Sequence, residues 1–214
     1  MSRYVDLQVT TNFSFLRGGS AADELVFMAK QLGHAAIAVT DRNTFAGIVR
    51  MYDAAKEIGG IRLIVGVRID LTDAPSVLVY PTDREAYARL TKLLTFGKRR
   101  AEKGKCILTR ADLLAHAQGQ MAIALPDGSA DFAAHLQILK EAFGERLSLG
   151  AHFLYEGDDA DRLARIAALP MISTIAGLPQ ANALSSALRI SAGFSTRKPA
   201  QPIEFATLAR FTSF

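Results

Sequence analysis

The sequence predicts an α/β protein that folds as a distorted barrel of seven (β/α) units. Seven short runs rich in β-branched residues recur along 214 residues, and segments with apolar residues at helical spacing separate them. Strands that alternate with helices favour right-handed crossovers and a largely parallel sheet. The loop after the first strand lacks the glycine-rich phosphate motifs of open nucleotide-binding sheets, which favours a closed barrel.

The seven predicted strands are short and apolar, and turn-forming residues border them. The runs comprise residues 4–10, 36–41, 61–71, 76–81, 120–125, 146–153 and 170–175. In a parallel barrel the carboxyl ends of such strands meet at one rim, where side chains can combine into a site. Those ends are therefore the places where chemistry is expected.

The seven predicted helices carry start and stop signals. In the first, Ser20 is a candidate N-cap, acidic residues occupy the first turn and Gly33 follows the end. The segments comprise residues 20–33, 44–60, 82–97, 109–119, 131–144, 158–169 and 183–193. We therefore expect a barrel domain over residues 1–194, followed by a tail at 195–214 that either caps the barrel or begins a linker to a part that is missing.

Composition excludes several classes of protein. Half of the residues are hydrophobic and 21% are charged, as is typical of globular chains. No apolar run is long enough to cross a membrane, so we expect a soluble cytoplasmic protein with no membrane partner. Cys106 is the single cysteine, which excludes an intramolecular disulfide and a thiolate zinc site.

A basic run lies between Gly97 and Cys106 in a chain of net charge +4. The favoured interpretation is a solvated loop, and the alternative is a contact with the DNA backbone. The residues that would make this contact are Lys98, Arg99, Arg100, Lys103 and Lys105.

The predicted strand ends offer few groups that bind metals. Metal and catalytic centres need converging carboxylates and imidazoles, whereas Asp41 stands nearly alone here. We expect Asp41 to accept backbone N–H bonds or to pair with Arg42. We expect His116 and His135 to lie on outward-facing helix positions, and His152 to be the one histidine on a strand.

Five segments, in order, resemble the N-terminal PHP (polymerase and histidinol phosphatase) domain of bacterial C-family DNA polymerases, the polymerase III alpha subunits, and most closely their error-prone branch. They read VDLQVTTNFSFLRGG, AIAVTDRNTFAG, LIVGVRIDL, LLTFGKRRAEKGKC and LTRADLL. The resemblance implies a seven-unit distorted barrel. It also implies that active members carry a trinuclear metal centre that hydrolyses phosphoesters.

The same resemblance implies that the metal site of this chain is degenerate. Gln8 and Thr10 stand where the family has His-x-His, and Arg42 replaces the histidine of Thr-Asp-His beside Asp41. Arg68 replaces a glutamate, Ser76 corresponds to a histidine, and residues 176–179 lack the closing Asp-x-His. Guanidinium groups at such positions repel divalent cations. We therefore expect no cofactor.

Three functions remain open from the sequence. The leading one is a non-catalytic PHP domain of an error-prone polymerase, which packs against the polymerase core and contacts DNA. The second is a stand-alone metal-dependent phosphoesterase that uses Asp6, Asp41, Asp70 and His152. The third, a nucleic-acid-binding module acting alone, ranks last because Phe96 is the only aromatic residue next to the basic run in sequence.

Overall fold

Two sheets form the centre of the computed structural model, which describes residues 4–151 and 157–169. The strands of the described residues are β1 (Val5–Val9), β2 (Ala36–Val39), β3 (Arg62–Val65), β4 (Val67–Ile69), β5 (Val77–Pro81), β6 (Gln120–Ala124) and β7 (Leu147–Leu149). The helices are α1 (Ala22–Gln31), α2 (Ile48–Ile58), α3 (Arg84–Arg99), α4 (Arg110–Ala115), α5 (Phe132–Phe143) and α6 (Asp159–Ala167).

The first sheet follows the predicted βα pattern. Strands β1, β2 and β3 are parallel and lie in that order, with α1 and α2 as the crossovers. The helices cover one face of this sheet, where Val26 and Met51 are fully buried with Ile37 and Val39. The carboxyl ends of β1 and β2 therefore meet at one edge, as the sequence predicts.

The second sheet departs from the predicted pattern. Its order is β4-β5-β6-β7, and β5 runs antiparallel to both β4 and β6. The run 61–71 is two strands divided at Gly66, and only residues 70–76 connect β4 to β5. A parallel crossover needs a dozen or more residues, so this short link must return the chain antiparallel.

Strict alternation of strands and helices is therefore wrong in two places. No helix separates β3, β4 and β5, and no strand separates α3 from α4. The predicted strand 170–175, the predicted helix 183–193 and the tail 195–214 lie outside the described residues. The structure thus has an α/β fold with seven strands in its described part, without establishing seven βα units.

The two sheets are joined at the point where the site lies. Beyond Val39 the backbone of β2 continues beside β4, since Arg68 N donates to Asp41 O at 3.1 Å and Asn43 N donates to Arg68 O at 2.9 Å. Between the sheets, Ala38, Ile64, Leu78 and Tyr80 pack into a shared inner cluster. The sheets therefore curve around one interior.

Larger side chains form the core on the far side of the second sheet. Leu90 and Leu93 of α3 and Leu139 of α5 are fully buried against Val77 and Val79. In the part of the chain that the structure describes, no helix is both long enough and apolar enough to span a bilayer.

Candidate functional site

Asp41 follows β2 and is 1% exposed. Its Oδ1 accepts the Thr11 N–H at 2.9 Å and the Ser14 hydroxyl at 2.7 Å, while Oδ2 accepts the Thr11 hydroxyl at 2.8 Å. The prediction that Asp41 accepts a backbone N–H bond is therefore confirmed. The predicted partner Arg42 is wrong, because the Arg42 backbone N–H donates to Ser14 Oγ and its guanidinium points elsewhere.

Arg42 and Arg68 share one carboxylate, that of Asp70. Arg42 Nη1 lies 3.0 Å from Asp70 Oδ2, and Arg68 Nε lies 2.9 Å from Asp70 Oδ1. The Ser76 hydroxyl also donates to Oδ1 at 2.7 Å and accepts a bond from Arg68 Nη2 at 3.2 Å. Burial, and then the neighbouring Arg68 charge, lower the pKa of Arg42, although Asp70 opposes this effect. We call these four residues the arginine cluster.

Asn43 holds Asp70 in place. Its backbone is in the left-handed region with φ of 50°, a conformation that asparagine tolerates better than most residues. In this position Asn43 Oδ1 accepts the Asp70 N–H at 3.0 Å. The extension of β2 therefore fixes both Arg42 and the carboxylate that binds it.

The basic run is not a free loop along its whole length. Lys98 and Arg99 belong to the last turn of α3. Arg100 is fully engaged, because its guanidinium makes two hydrogen bonds with Asp112, at 2.6 and 3.0 Å, and lies 3.6 Å from the Phe96 ring centre. Asp112 also accepts the Thr109 N–H at 2.9 Å, which completes a capping box with Thr109 as the N-cap of α4.

A cleft of about 530 Å³ lies between the β1–α1 loop and the segment after α3. The cations that line it are Arg17, Arg42, Lys98, Lys103 and Lys105, and Glu102 is its one acidic residue. Phe13 and Phe15 line the same space. Of the five cations predicted to contact DNA, Lys98, Lys103 and Lys105 therefore face this cleft, whereas Arg99 and Arg100 are not among its lining residues.

Comparison with known sequences connects this geometry to a family. Residues 6–167 match the profile described as the PHP domain, which is more than half of the chain. The chain belongs to the PHP domain family. The resemblance inferred from the five sequence segments is thus confirmed.

Relatives of this PHP domain include error-prone DNA polymerases. The chain is 50% identical over 167 residues to error-prone DNA polymerase 2 of Agrobacterium fabrum, an alignment that covers 78% of this chain and 15% of the relative. It is 49% identical over 169 residues to the error-prone DNA polymerase of Caulobacter vibrioides, with 78% and 16% covered. The chain therefore spans only about 15–16% of the length of these relatives.

Solved structures support the PHP fold at low sequence identity. A structure described as a metal-dependent phosphoesterase from Bifidobacterium adolescentis superposes with a TM-score of 0.57 at 17% identity, covering 78% of this chain and 84% of that one. An amidohydrolase from Chromobacterium violaceum gives a TM-score of 0.55 at 14% identity, covering 76% and 82%. At such identities the likeness concerns the fold alone.

The described residues of this PHP domain do not fit a metal centre. Among them, no three His, Cys, Asp or Glu side chains converge on a common point. Asp41 accepts three hydrogen bonds and Asp70 bridges two guanidiniums, so their oxygens are already engaged. Gln8 is exposed, and neither its side chain nor that of Thr10 bonds to another described residue. His152 and residues 176–179 lie outside the described residues.

Two histidines differ in environment. The prediction that His135 faces outward is wrong, because it is 1% exposed and packs near Phe132, with ring centres 6.5 Å apart. Within the described residues neither of its ring nitrogens has a hydrogen-bond partner. His116 is half-buried and ends α4, with Nδ1 2.9 Å from the Asp112 carbonyl oxygen.

Sequence reasoning named Asp70 only as a candidate ligand of a rearranged metal site and missed its role as the partner of Arg42 and Arg68. The signal was the two-residue spacing of Arg68 and Asp70, which brings both side chains to the same side of an extended backbone. The roles of Thr11 and Ser14 as partners of Asp41 were also missed. Both follow β1 directly, and the parallel pairing of β1 with β2 brings them to Asp41.

Proposed function

We propose that this chain is the PHP domain of an error-prone DNA polymerase and that it serves the enzyme as a structural domain without hydrolysing phosphoesters. The identity of 46–50% to error-prone polymerases over most of the chain supports the assignment to such an enzyme. Polymerisation itself would reside in other parts of a longer protein. On this proposal the whole protein copies damaged DNA in the cytoplasm.

The observation that carries the non-hydrolytic role is the arginine cluster. Guanidinium groups stay protonated at physiological pH, so Arg42 and Arg68 place two fixed positive charges at the strand ends. A cation that approached Asp70 would have to displace both arginines and overcome their repulsion. The cluster therefore supports a site in which ion pairs replace metal bonds.

The structural role also requires a surface for the polymerase core. Five apolar side chains on α1, at its C-terminal end and on α2 are between 49% and 67% exposed, namely Phe27, Met28, Leu32, Val49 and Tyr52. We call this set the apolar face. Exposed apolar side chains on two helices that pack together are candidates for an interaction surface. Because the relatives are several times longer than this chain, the rest of a polymerase chain is the proposed occupant.

The competing function is a stand-alone metal-dependent phosphoesterase with rearranged ligands, an activity ascribed to the fold neighbour from Bifidobacterium adolescentis. It would need Asp6, Asp41, Asp70 and His152 to converge. Asp6 accepts a bond from the Gln8 N–H on β1, while Asp41 and Asp70 each accept three hydrogen bonds from other partners. The described geometry thus supports the structural role better.

Elemental analysis combined with a hydrolysis assay tests the proposal. The purified chain is incubated with Mn²⁺, Zn²⁺ or Fe²⁺, and turnover of a nitrophenyl phosphate and of single-stranded DNA is measured. We expect less than one metal ion per chain. We also expect no chelator-sensitive turnover of either substrate. The double variant Arg42→His/Arg68→Glu restores two ligand types and serves as the control for metal uptake. Two or more ions per unmodified chain, with chelator-sensitive turnover, would refute the structural role.

A further inference from the structure

The cleft beside the site has a strong excess of positive charge. Five cations line it against one carboxylate, Glu102, which pairs with Lys105 at 2.9 Å. Both partners are more than 70% exposed, so this pair contributes little and a ligand can break it. Like charges that converge on one concave space favour an anionic ligand.

Aromatic side chains lie at the same cleft. Phe15 is 83% exposed and Phe13 is 39% exposed. Arg50 lies 5.8 Å from the Phe13 ring centre, which leaves Phe15 as the freely accessible ring. A ring this exposed offers its face to a ligand that enters the cleft.

The loop that carries Phe15 is held in shape. Ser14 is bound to the buried Asp41, and its carbonyl oxygen accepts the Arg17 and Gly18 N–H groups at 2.8 and 3.1 Å. Leu16 has a φ of 60°, which is unusual for a leucine and is imposed by this tight turn. This turn therefore holds the backbone that carries the Phe15 ring at the cleft, which lowers the entropic cost of binding.

We propose that this cleft binds single-stranded nucleic acid, with phosphates at Lys98, Lys103 and Lys105 and an unpaired base stacked on Phe15. Cationic grooves that contain exposed aromatic rings bind single strands in this way, because every base offers a face for stacking. In sequence Phe15 is far from the basic run, and the fold brings them together. The inference goes beyond the structural role proposed above and does not depend on it.

Fluorescence anisotropy with a labelled oligothymidylate tests the phosphate contacts. The chain is titrated in EDTA at several salt concentrations, so that binding is measured without metal-dependent cleavage. The variant Lys98→Gln/Lys103→Gln/Lys105→Gln should reduce the slope of log affinity against log salt by about 2, at about 0.7 for each phosphate contact. A matched variant, Lys30→Gln/Lys56→Gln/Lys92→Gln, loses the same charge at exposed helix positions outside the cleft and should change the slope much less.

A second set of variants tests the stacking. Phe15→Leu keeps an apolar side chain but loses the ring, and should weaken binding roughly 5- to 100-fold with the salt slope unchanged. Phe15→Trp should retain or improve the affinity. Because Phe15 is exposed, both variants should unfold at the same urea concentration as the unmodified chain.

Four results would overturn the inference. They are absence of binding, the same salt slope for the two lysine variants, the same affinity for Phe15→Leu as for the unmodified chain, and competition by a duplex or by polyglutamate that is as strong as competition by the single strand. The last would identify a general anion or acidic-peptide surface. Cleavage of the oligonucleotide when Mn²⁺ replaces EDTA would instead refute the structural role while leaving the binding site intact.

Discussion

Asp70 of this PHP domain forms ion pairs with two guanidiniums at once, Arg42 through Oδ2 and Arg68 through Oδ1. Arg42 and Arg68 approach each other at the joint between the sheets and would repel without it. The resemblance implied that both arginines replace metal ligands, and the sequence offered Arg42 as one of two kinds of partner for Asp41. That pair does not form, because Thr11 and Ser14 bind Asp41 while the Arg42 guanidinium bonds to Asp70.

Replacing Asp70 with asparagine should destabilise the fold. The Asp70→Asn variant leaves two cations facing a neutral amide, and we expect a loss of about 1–3 kcal/mol, since the pairs are only partly shielded from water. Urea denaturation measures it. Asp53→Asn, on an exposed position of α2, is the matched control and should change stability by less than about 0.5 kcal/mol. Equal midpoints for both variants would contradict a stabilising arginine cluster.

His135 gives a pH-dependent prediction. Burial, and then the positive charge of Arg110, lower the pKa of its imidazole, while Asp127 and Asp73 oppose the shift. Since the folded pKa lies below the unfolded value of about 6.5, stability is fully present above that pH and is lost as the pH falls towards the folded pKa. The His135→Leu variant should not show this loss of stability at low pH.

The measurement is urea denaturation of His135→Leu at several pH values between about 5 and 8. At the upper end of this range we expect His135→Leu to raise the free energy of unfolding by about 1 kcal/mol, because it removes two buried nitrogens that have no hydrogen-bond partner among the described residues. The gain should increase as the pH falls. His116→Leu is the control, since that ring already contacts a carbonyl oxygen. A constant difference at all pH values would show that His135 does not titrate with folding.

At the scale of elements, the predicted runs cover every strand of the described residues, but the predicted parallel direction is wrong for β5, which is antiparallel to both of its neighbours. The first sheet was predictable because α1 and α2 supply ordinary crossovers. The second was not, because the run 61–71 has one continuous apolar pattern and hides the division at Gly66. The short link at 70–76 contained the missing information, since its length permits only an antiparallel return.

Gly66 should tolerate no side chain. A Cβ built there would lie 2.5 and 2.6 Å from two ring carbons of Tyr80, which is 1% exposed and fixed by its bond to the Leu7 carbonyl oxygen. We expect Gly66→Ala to cost about 1–3 kcal/mol in the free energy of unfolding. Gly19→Ala, which meets no atom within 4 Å, is the control. An unchanged midpoint for Gly66→Ala would mean that the joint between β3 and β4 adjusts freely.

At the scale of the whole molecule, tertiary structure reverses an argument made from sequence. The basic run was separated from aromatic residues in sequence, which counted against a site for nucleic acid. In the fold, Phe13 and Phe15 line the cleft with Lys98 and Lys103. Such proximity between loops far apart in the chain could not be inferred from local patterns, because it depends on how both sheets curve.

The apolar face gives a prediction at the same scale. An isolated chain that exposes Leu32 and Val49, each 67% accessible, should associate with itself as its concentration rises. The Leu32→Gln/Val49→Gln variant should reduce this association in sedimentation velocity without changing net charge or stability. Ile107→Gln, an exposed apolar position outside the set, is the control. If the unmodified chain and both variants associate to the same extent, the apolar face is not a docking surface.

The arginine cluster also bears on how the stability of the chain depends on metal ions in the growth medium. Side chains encoded in the sequence, Arg42, Arg68 and Asp70, hold the described seam between the sheets. On the proposed structural role, this seam closes through ion pairs alone, so growth without added manganese, zinc or iron should leave the stability of the purified chain unchanged.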